Sequence, residues 1–169
     1  NMDSATNMIS KEELYAELDM IERKKRNVIV FGLKELEDKN EHSEQDKRRV
    51  LDLFQDIRTD AKVVNCYRVG YPAAGKTRPL VVCMETPEDR SNILNLAKQL
   101  KNQRKWSGVY LAEDLTKNQY TLDRIRETCL KDEATRRNQQ LNNQGIQWKV
   151  VGGRGARRIV VVRTVWAKI

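Results

Sequence analysis

A short apolar strand that directly follows a charged helix is the feature that most constrains the fold of this chain. The residues RNVIVFGL, from Arg26 to Leu33, are dominated by β-branched and aromatic side chains and are typical of a strand. The residues before them, DMIERKKR at 19–26, are dense in charge and end in four consecutive basic residues. A second strand of the same character, TRPLVVCME from Thr77 to Glu85, lies about fifty positions further on.

The segments between and after these two strands complete a regular order of elements. Ser43 caps a helix with apolar residues at helical spacing, and Lys62–Val69 is β-rich. Thr86 precedes a proline that starts a second helix, and Gly108–Ala112 supplies a fourth strand. The order is strand, helix, strand, strand, helix, strand. It is the order of an RNA-recognition motif, an α+β fold with a four-stranded antiparallel sheet and two helices that presents its sheet to single-stranded RNA.

The last third of the chain predicts a separate, smaller unit. Thr116 caps a long charged helix to about Asn142, with Leu122, Ile125 and Cys129 on one face. Two strands follow, IQWKVVG and RRIVVVRTVW, joined by a turn at Gly152–Gly155. The sequence therefore predicts a helix and a β-hairpin as the C-terminal domain.

The first helix carries a seam of apolar residues. Leu14, Leu18 and Ile21 recur at spacings of four and three, and Ser10 with Glu13 forms a capping box. These spacings match a coiled-coil seam with those three residues at the oligomer interface, but they cover little more than two heptads, so from periodicity alone a lone amphipathic helix packed on its own domain is an equal alternative. The predicted segments are the end of a coiled-coil helix at 1–25, the RNA-recognition motif at 26–113 and the C-terminal domain at 114–169.

The charge of the chain favours a polyanionic partner. The chain has 32 Lys and Arg and 24 Asp and Glu, which gives a formal net charge of +8 over 169 residues. Nucleic acid and an anionic membrane surface both fit that excess. No apolar run approaches the ~20 residues of a membrane span, and the N-terminus lacks a signal-peptide core, so we expect a soluble intracellular protein without a membrane partner.

The inventory of cysteine and histidine gives little support to metal or cofactor chemistry. Cys66, Cys83 and Cys129 show no C-x-x-C spacing, and His42 is the only histidine. Two of the cysteines lie in predicted strands, where a reduced cysteine behaves as a small apolar residue. We therefore expect no metal site and no cofactor.

One segment matches the phosphate-binding loop pattern G-x-x-x-x-G-K-[ST]. Gly70–Thr77 reads GYPAAGKT. The chemistry of that loop requires a helix directly after the Lys and Thr, because N–H groups at the helix N-terminus hold the phosphates. Here Arg78-Pro79 and the β-rich LVVCM follow. The context therefore predicts a basic loop between two strands, and a nucleotide-hydrolysing enzyme is the weaker hypothesis.

Alternation along the strands predicts which side chains face the open side of the sheet. Val28 and Val30 should be buried and Ile29 and Phe31 open, because successive strand side chains point to opposite faces. On the third strand, Leu80, Val82 and Met84 should point inward and Val81 and Cys83 outward. Ordinary RNA-recognition motifs place aromatic rings at the central open positions, where bases stack. With Ile29, Val81 and Cys83 there, we expect weak stacking and binding through charge.

Basic residues recur at element ends and in loops, with aromatic residues among them. The arrangement is typical of a groove that follows the nucleic-acid backbone, binds single strands with little sequence preference and weakens with salt. The predicted nucleic-acid contacts are Lys25, Arg26, Asn27, Ile29, Phe31, Arg68, Lys76, Arg78, Lys98, Arg104, Lys105, Tyr110, Lys117, Tyr120, Arg124, Trp148, Arg154, Arg157 and Arg158.

Several runs in a fixed order carry a resemblance to a known family. RKKRNVIVFGLKE, YRVG, TRPLVVCME with PEDRSNIL, VYLAEDLT and QWKVVGGRGARRIVV together resemble the first open-reading-frame protein of LINE-class non-LTR retrotransposons. The resemblance implies a trimerising coiled coil followed by an RNA-recognition motif and a small C-terminal domain. In that family the last two, the globular parts, clamp single-stranded nucleic acid between them. It also implies contacts at Lys25, Asn27, Lys76, Arg78, Lys98, Arg124 and an aromatic near Trp148, and the chain departs from some relatives at Ile29 and Cys83.

The resemblance implies a non-catalytic RNA-binding nucleic-acid chaperone that coats a retrotransposon transcript in ribonucleoprotein particles of the cytoplasm or nucleus. Its partner is single-stranded RNA, with DNA as an open alternative. The full-length protein is expected to be a homotrimer through the coiled coil, and this chain, which has only the end of that helix, a monomer. A protein-interaction module of a host protein derived from such an element is the alternative function.

Overall fold

A computed structural model of the chain describes residues 9–36, 42–140, 145–154 and 157–163. The chain divides into two compact units, Asn1–Thr116 (unit 1) and Lys117–Ile169 (unit 2). The first helix belongs to unit 1, and the division falls three residues after the sequence-predicted boundary at 113.

The described residues form four α-helices and six strands. Unit 1 holds α1 to α3 and β1 to β4, and two short 3₁₀ segments follow α3. The bounds are α1 Lys11–Lys24, β1 Asn27–Phe31, α2 His42–Asp56, β2 Val63–Arg68, β3 Leu80–Met84, α3 Pro87–Leu96, 3₁₀ segments Ala97–Asn102 and Arg104–Trp106, β4 Tyr110–Glu113, α4 Lys117–Gln140, β5 Ile146–Val151 and β6 Arg158–Arg163.

Unit 1 is built on a four-stranded antiparallel sheet in the order β2-β3-β1-β4. The predicted order of strands and helices is confirmed, and the α+β architecture is compatible with an RNA-recognition motif. One face of the sheet packs against α2 and α3 to form the core, in which Val28, Val30 and Leu80 are fully buried. Phe54 of α2 and Ile93 of α3 close this core from the helix side.

Gly32 sets the turn that ends β1. Its φ of +75° lies in the left-handed region, and a Cβ at this position would stand 2.0 Å from the carbonyl oxygen of Gly108. Only glycine combines that backbone angle with so close an approach of two backbones. The end of β1 and the start of β4 are thereby held close together at one end of the sheet.

Helix α1 is held to unit 1 by polar contacts. Its capping box at Ser10 is present as predicted. None of its residues is buried, and Leu14 and Leu18 are each about half exposed. The hydroxyl of Thr116 donates to the Glu17 carboxylate, so α1 lies beside the end of β4. Leu14 and Leu18 of the seam are therefore not part of the core of unit 1, whereas Ile21 is partly buried.

Three details of unit 1 differ from the sequence expectations. Val81 points to the open face but is only 4% exposed, because Ile29 and Tyr67 flank it on the neighbouring strands. Lys98 lies in the first 3₁₀ segment, two residues beyond the end of α3. The fourth strand starts at Tyr110, two residues later than predicted.

Unit 2 consists of α4 and the hairpin of β5 and β6. The side chain of Asn138 on α4 binds both the N–H and the carbonyl of Trp148 on β5. The helix turns Asp123 and Ala134 inward, whereas Leu122 and Ile125 are 66% and 55% exposed, so the predicted apolar face is not the buried one. Outside the described residues lie the predicted helix end near 142, residue 155 of the turn and the end of the second strand at 164–166.

Within the described parts of the chain, no helix is both long and apolar enough to cross a membrane.

Candidate nucleic-acid interface

The open face of the unit 1 sheet is the surface opposite α2 and α3. Strand register arranges its side chains in rows that cross the sheet. The middle row is Tyr67, Val81, Ile29 and Ala112, in the order of the strands. The rows on either side of it contain Phe31 with Tyr110, and Asn65, Cys83 and Asn27.

Phe31 and Tyr110 form a stacked aromatic pair at one end of the open face. Their ring centroids are 4.7 Å apart and their planes differ by 11°. They are direct register partners on β1 and β4, and Tyr110 remains 59% exposed. An exposed ring held flat by a second ring offers a base a preorganised stacking surface. The sequence predicted both residues as contacts but did not predict that they stack.

Tyr67, which lies in the β-rich segment predicted at 62–69, is a functional candidate that was not among the predicted nucleic-acid contacts. It lies on the open face of β2 beside Val81 and is 48% exposed. Burial raises the pKa of its hydroxyl, which therefore stays protonated and can donate a hydrogen bond. Alternation from the buried Cys66 was the signal that would have found it.

The opposite end of the open face is closed by a polar network. Asn27 donates from Nδ2 to Asp114 Oδ2 over 2.9 Å, and Lys24 Nζ lies 2.8 Å from Asp114 Oδ1. Asn27 and Asp114 are each 6% exposed. Asn27, predicted as a nucleic-acid contact, thus has its amide bound to protein, and Asp114 links it on β1 to Lys24 in the last turn of α1.

Arg68 is a structural residue and not a surface cation. Its guanidinium pairs with Asp46 at 2.6 and 2.8 Å and donates to the carbonyls of Leu33 and Arg78. The Arg68 side chain is 5% exposed and that of Asp46 8%. The prediction that Arg68 contacts nucleic acid is wrong, because its donors are bound and covered.

Three further predicted contacts are held in ion pairs on unit 1. Arg78 donates from its backbone N–H and its Nε to Glu35, at 3.1 and 2.8 Å. Lys105 lies 2.8 Å from Asp52 and 3.0 Å from Asp56, and Lys25 pairs with Glu22. These cations are partly or largely exposed, so a phosphate can reach them only in competition with a carboxylate.

Six of the predicted basic contacts are exposed and form no ion pair with a described carboxylate. We call these six residues the accessible set. Unit 1 contributes Arg26 beside the covered end of the open face and Lys76 in the loop between β2 and β3. The set consists of Arg26, Lys76, Lys98 and Arg104 in unit 1 and Lys117 and Arg158 in unit 2.

Unit 2 places its predicted aromatic residues beneath arginines. The guanidinium of Arg154 lies 4.9 Å from the ring centre of Tyr120, and that of Arg137 lies 4.5 Å from Trp148. Such pairs are cation–π interactions. A predicted contact on the same unit, Arg157, pairs with Asp123 at 3.2 Å and with Glu127 at 3.1 Å, while Arg124 is 63% exposed and 3.8 Å from Glu127.

The segment that matches a phosphate-binding loop lies between two strands. β2 ends at Arg68 and β3 starts at Leu80, so no helix begins after Lys76 and Thr77. Within the described residues, no group of three or more His, Cys, Asp or Glu side chains is placed to hold a metal ion. Burial raises the pKa of the Cys66 and Cys83 thiols, which disfavours the reactive thiolate.

The ion pair of Glu35 and Arg78 predicts a specific loss of stability in acid. The hydrogen bond from the Arg78 side chain lowers the pKa of Glu35 in the folded chain. A lowered carboxylate pKa stabilises the fold above the unfolded value of about 4.3, and this contribution is lost as pH falls through the folded pKa. We therefore expect Glu35→Gln to lower the urea midpoint at neutral pH and to differ less from the unmodified chain in acid.

The same measurement on Arg78→Ala provides the control for this prediction. It removes the group that lowers the Glu35 pKa, so its difference from the unmodified chain should shrink in acid as well. A difference between the Glu35→Gln and unmodified chains that stays constant from neutral to acid pH contradicts the assignment.

Comparison of the chain with protein-family models and with curated proteins finds no match. The interface is therefore interpreted from its own geometry. Three features carry that interpretation: an open sheet face with an exposed aromatic stack, a set of accessible cations and a polar network that closes one end.

Proposed function

We propose that unit 1 is an RNA-recognition motif and that the chain is a non-catalytic module that binds single-stranded RNA. The observation that carries the proposal is the exposed Tyr110 ring, stacked on Phe31 on the open face of the sheet. The bases of a single strand can be turned outward and stack on such a ring. The bases of a duplex are already stacked on one another and cannot reach it.

The accessible cations supply the electrostatic part of the proposal. Arg26, Lys76, Lys98 and Arg104 are free to neutralise phosphates without giving up a described carboxylate. Phosphate contacts carry no sequence information, and the middle of the open face is the apolar pair Val81 and Ile29. We therefore propose binding with little sequence preference, with single-stranded RNA as the partner and single-stranded DNA as the alternative partner.

The resemblance to the first open-reading-frame proteins of LINE retrotransposons extends this proposal to a biological role. The chain would act as a nucleic-acid chaperone in a retrotransposon ribonucleoprotein particle, with unit 2 as the C-terminal domain of that family. The exposed seam of Leu14 and Leu18 on α1 supports a coiled coil that trimerises the full-length protein.

Fluorescence anisotropy with single-stranded and duplex RNA tests the proposal. We expect Tyr110→Ala to weaken single-strand binding by about 1–3 kcal/mol, the range for loss of one stacked base. Tyr15→Ala, which removes a ring that is 69% exposed on α1, is the matched control and should bind like the unmodified chain. Affinity should also fall steeply between about 50 and about 200 mM salt.

Two outcomes of this experiment count against RNA binding. One is an affinity that hardly changes with salt, and the other is equal binding of the Tyr110→Ala and unmodified chains. Either would favour the second candidate function, a protein-interaction module. That candidate rests on the exposure of Leu122 and Ile125 on α4, an apolar pair with no cover in the described part of unit 2.

A further inference from the structure

Tyr67 lies in the middle row of the open face of unit 1, on the edge strand β2. Its register partner on β3 is Val81, and Val81 in turn lies opposite Ile29 of β1. Val81 points away from α2 and α3, yet it is only 4% exposed. Neighbouring side chains on the open face must therefore cover it. Tyr67 is the larger of its two cross-strand neighbours, so the Tyr67 ring supplies most of this cover.

The Tyr67 ring leans from β2 towards β3 and not outward from the edge of the sheet. Burial raises the pKa of its hydroxyl, and the charges of Cys83 and Asp114 raise this pKa further. Both of those residues lie on the inner side of β2, because Cys83 is the next outward residue of β3 and Asp114 follows β4. Tyr67 nevertheless stays 48% exposed. A ring with one face on the sheet and the other face open accounts for both observations.

This position on the open face is the one where an ordinary RNA-recognition motif carries its own rings. In such motifs the outward side chains of the central strands are aromatic, and bases stack on them. The outward residues of β3 in this chain are Val81 and Cys83, and neither has a ring. A ring that comes from β2 and lies on Val81 therefore restores a flat aromatic surface over β3.

Arg26, a cation of the accessible set, lies at the same end of β3 as Cys83. The Met84 N–H donates to the Arg26 carbonyl over 3.0 Å, and the residue after Arg26, Asn27, is the register partner of Cys83. Burial raises the pKa of the Cys83 thiol and the Arg26 charge lowers it, which requires that the guanidinium lies near Cys83. A flat ring and a nearby exposed cation match the base and the phosphate of one nucleotide.

We propose that the Tyr67 ring is a second base-stacking surface, which replaces the rings missing from β3 and binds one nucleotide of a single strand with Arg26 at its phosphate. This inference rests on the proposed function, the binding of single-stranded RNA, and adds a second base site to it. Tyr110 and Tyr67 lie on the two edge strands, β4 and β2, in adjacent rows of the open face. A nucleic-acid strand bound to both rings crosses the sheet over its two central strands.

Replacements of Tyr67 in the full chain separate base stacking from the cover of Val81. Tyr67→Leu keeps an apolar side chain over Val81 but has no flat ring, so we expect single-stranded RNA to bind about tenfold more weakly in fluorescence anisotropy. Tyr67→Phe keeps the ring and should bind like the unmodified chain. The urea midpoint should stay nearly unchanged in both. Tyr67→Ala combined with Val81→Phe puts a ring back into the vacated space and should recover most of the affinity.

The salt dependence of binding separates the ring from the cation. Tyr67→Leu should weaken binding by the same factor at every salt concentration, whereas Arg26→Gln should reduce the slope of log affinity against log salt by about 0.7. A folded Tyr67→Leu chain that binds as tightly as the unmodified chain, a Tyr67→Phe chain as weak as Tyr67→Leu, or an unchanged slope for Arg26→Gln overturns this site and leaves the proposed function intact. An unmodified chain that binds no single-stranded RNA overturns the proposed function itself.

Discussion

Replacement of Arg68 by alanine is expected to lower the free energy of unfolding of unit 1 by about 3–5 kcal/mol, the range for breaking a buried ion pair. The Asp46 carboxylate, which is 8% exposed in the intact pair, would lose both of its hydrogen bonds from the Arg68 guanidinium. The carbonyls of Leu33 and Arg78 would each lose a donor as well. Those carbonyls lie in the segments after β1 and before β3, so the variant also loosens one end of the sheet.

Urea denaturation followed by circular dichroism measures this loss. Arg136→Ala is the matched control, because it removes an arginine whose side chain is 60% exposed and whose pair with Glu133 is screened by water. Its midpoint should stay nearly unchanged. A double replacement, Arg68→Met with Asp46→Leu, should recover much of the stability, since apolar residues of similar volume can substitute for a buried pair. An Arg68→Ala midpoint equal to that of the control would contradict the structural role.

Strand periodicity made the main features of unit 1 predictable from sequence. Alternation correctly assigned Val28 and Val30 to the core and Ile29 and Phe31 to the open face. It did not predict the burial of Val81, because that depends on which residues of β1 and β2 lie beside it. The Phe31–Tyr110 stack could not be predicted for the same reason, since the two residues are 79 positions apart and meet only through strand register.

The roles of individual cations were harder to predict, because they are set by distant carboxylates. Arg68 binds Asp46 across 22 positions and Arg78 binds Glu35 across 43. Charge counting cannot distinguish these arginines from Lys76, which pairs with no carboxylate among the described residues. One signal was present for Arg68: it is two residues after the buried Cys66 and so lies on the helix side of β2.

In unit 2 the buried face of α4 was mispredicted for a related reason. The apolar spacing of Leu122 and Ile125 indicates the inner face, yet the helix buries Asp123 instead. Arg157 supplies the reason, because it reaches from the start of β6 to pair with Asp123 and Glu127. A buried charge with a partner is stable, and that partner is 34 positions away.

Removal of unit 2 is expected to weaken RNA binding at least tenfold, a loss of about 1.4 kcal/mol or more. Unit 2 contributes the accessible Lys117 and Arg158 and the aromatic residues Tyr120 and Trp148. Its first residue directly follows the last residue of unit 1, Thr116. If both units bind one strand, the second binds at the high effective concentration set by that connection.

The comparison uses residues 1–116 and the full chain at matched salt, after circular dichroism has established that the shorter chain is folded. Ending at Thr116 retains the contacts of Asp114 and Thr116 with α1. The Lys117→Ala, Arg158→Ala double variant of the full chain is the control, and its loss should be smaller, because the rest of unit 2 stays attached. Unit 2 added as a separate chain should not restore the affinity, since the effective concentration is lost. A folded 1–116 chain that binds as tightly as the full chain would mean that unit 1 binds RNA alone.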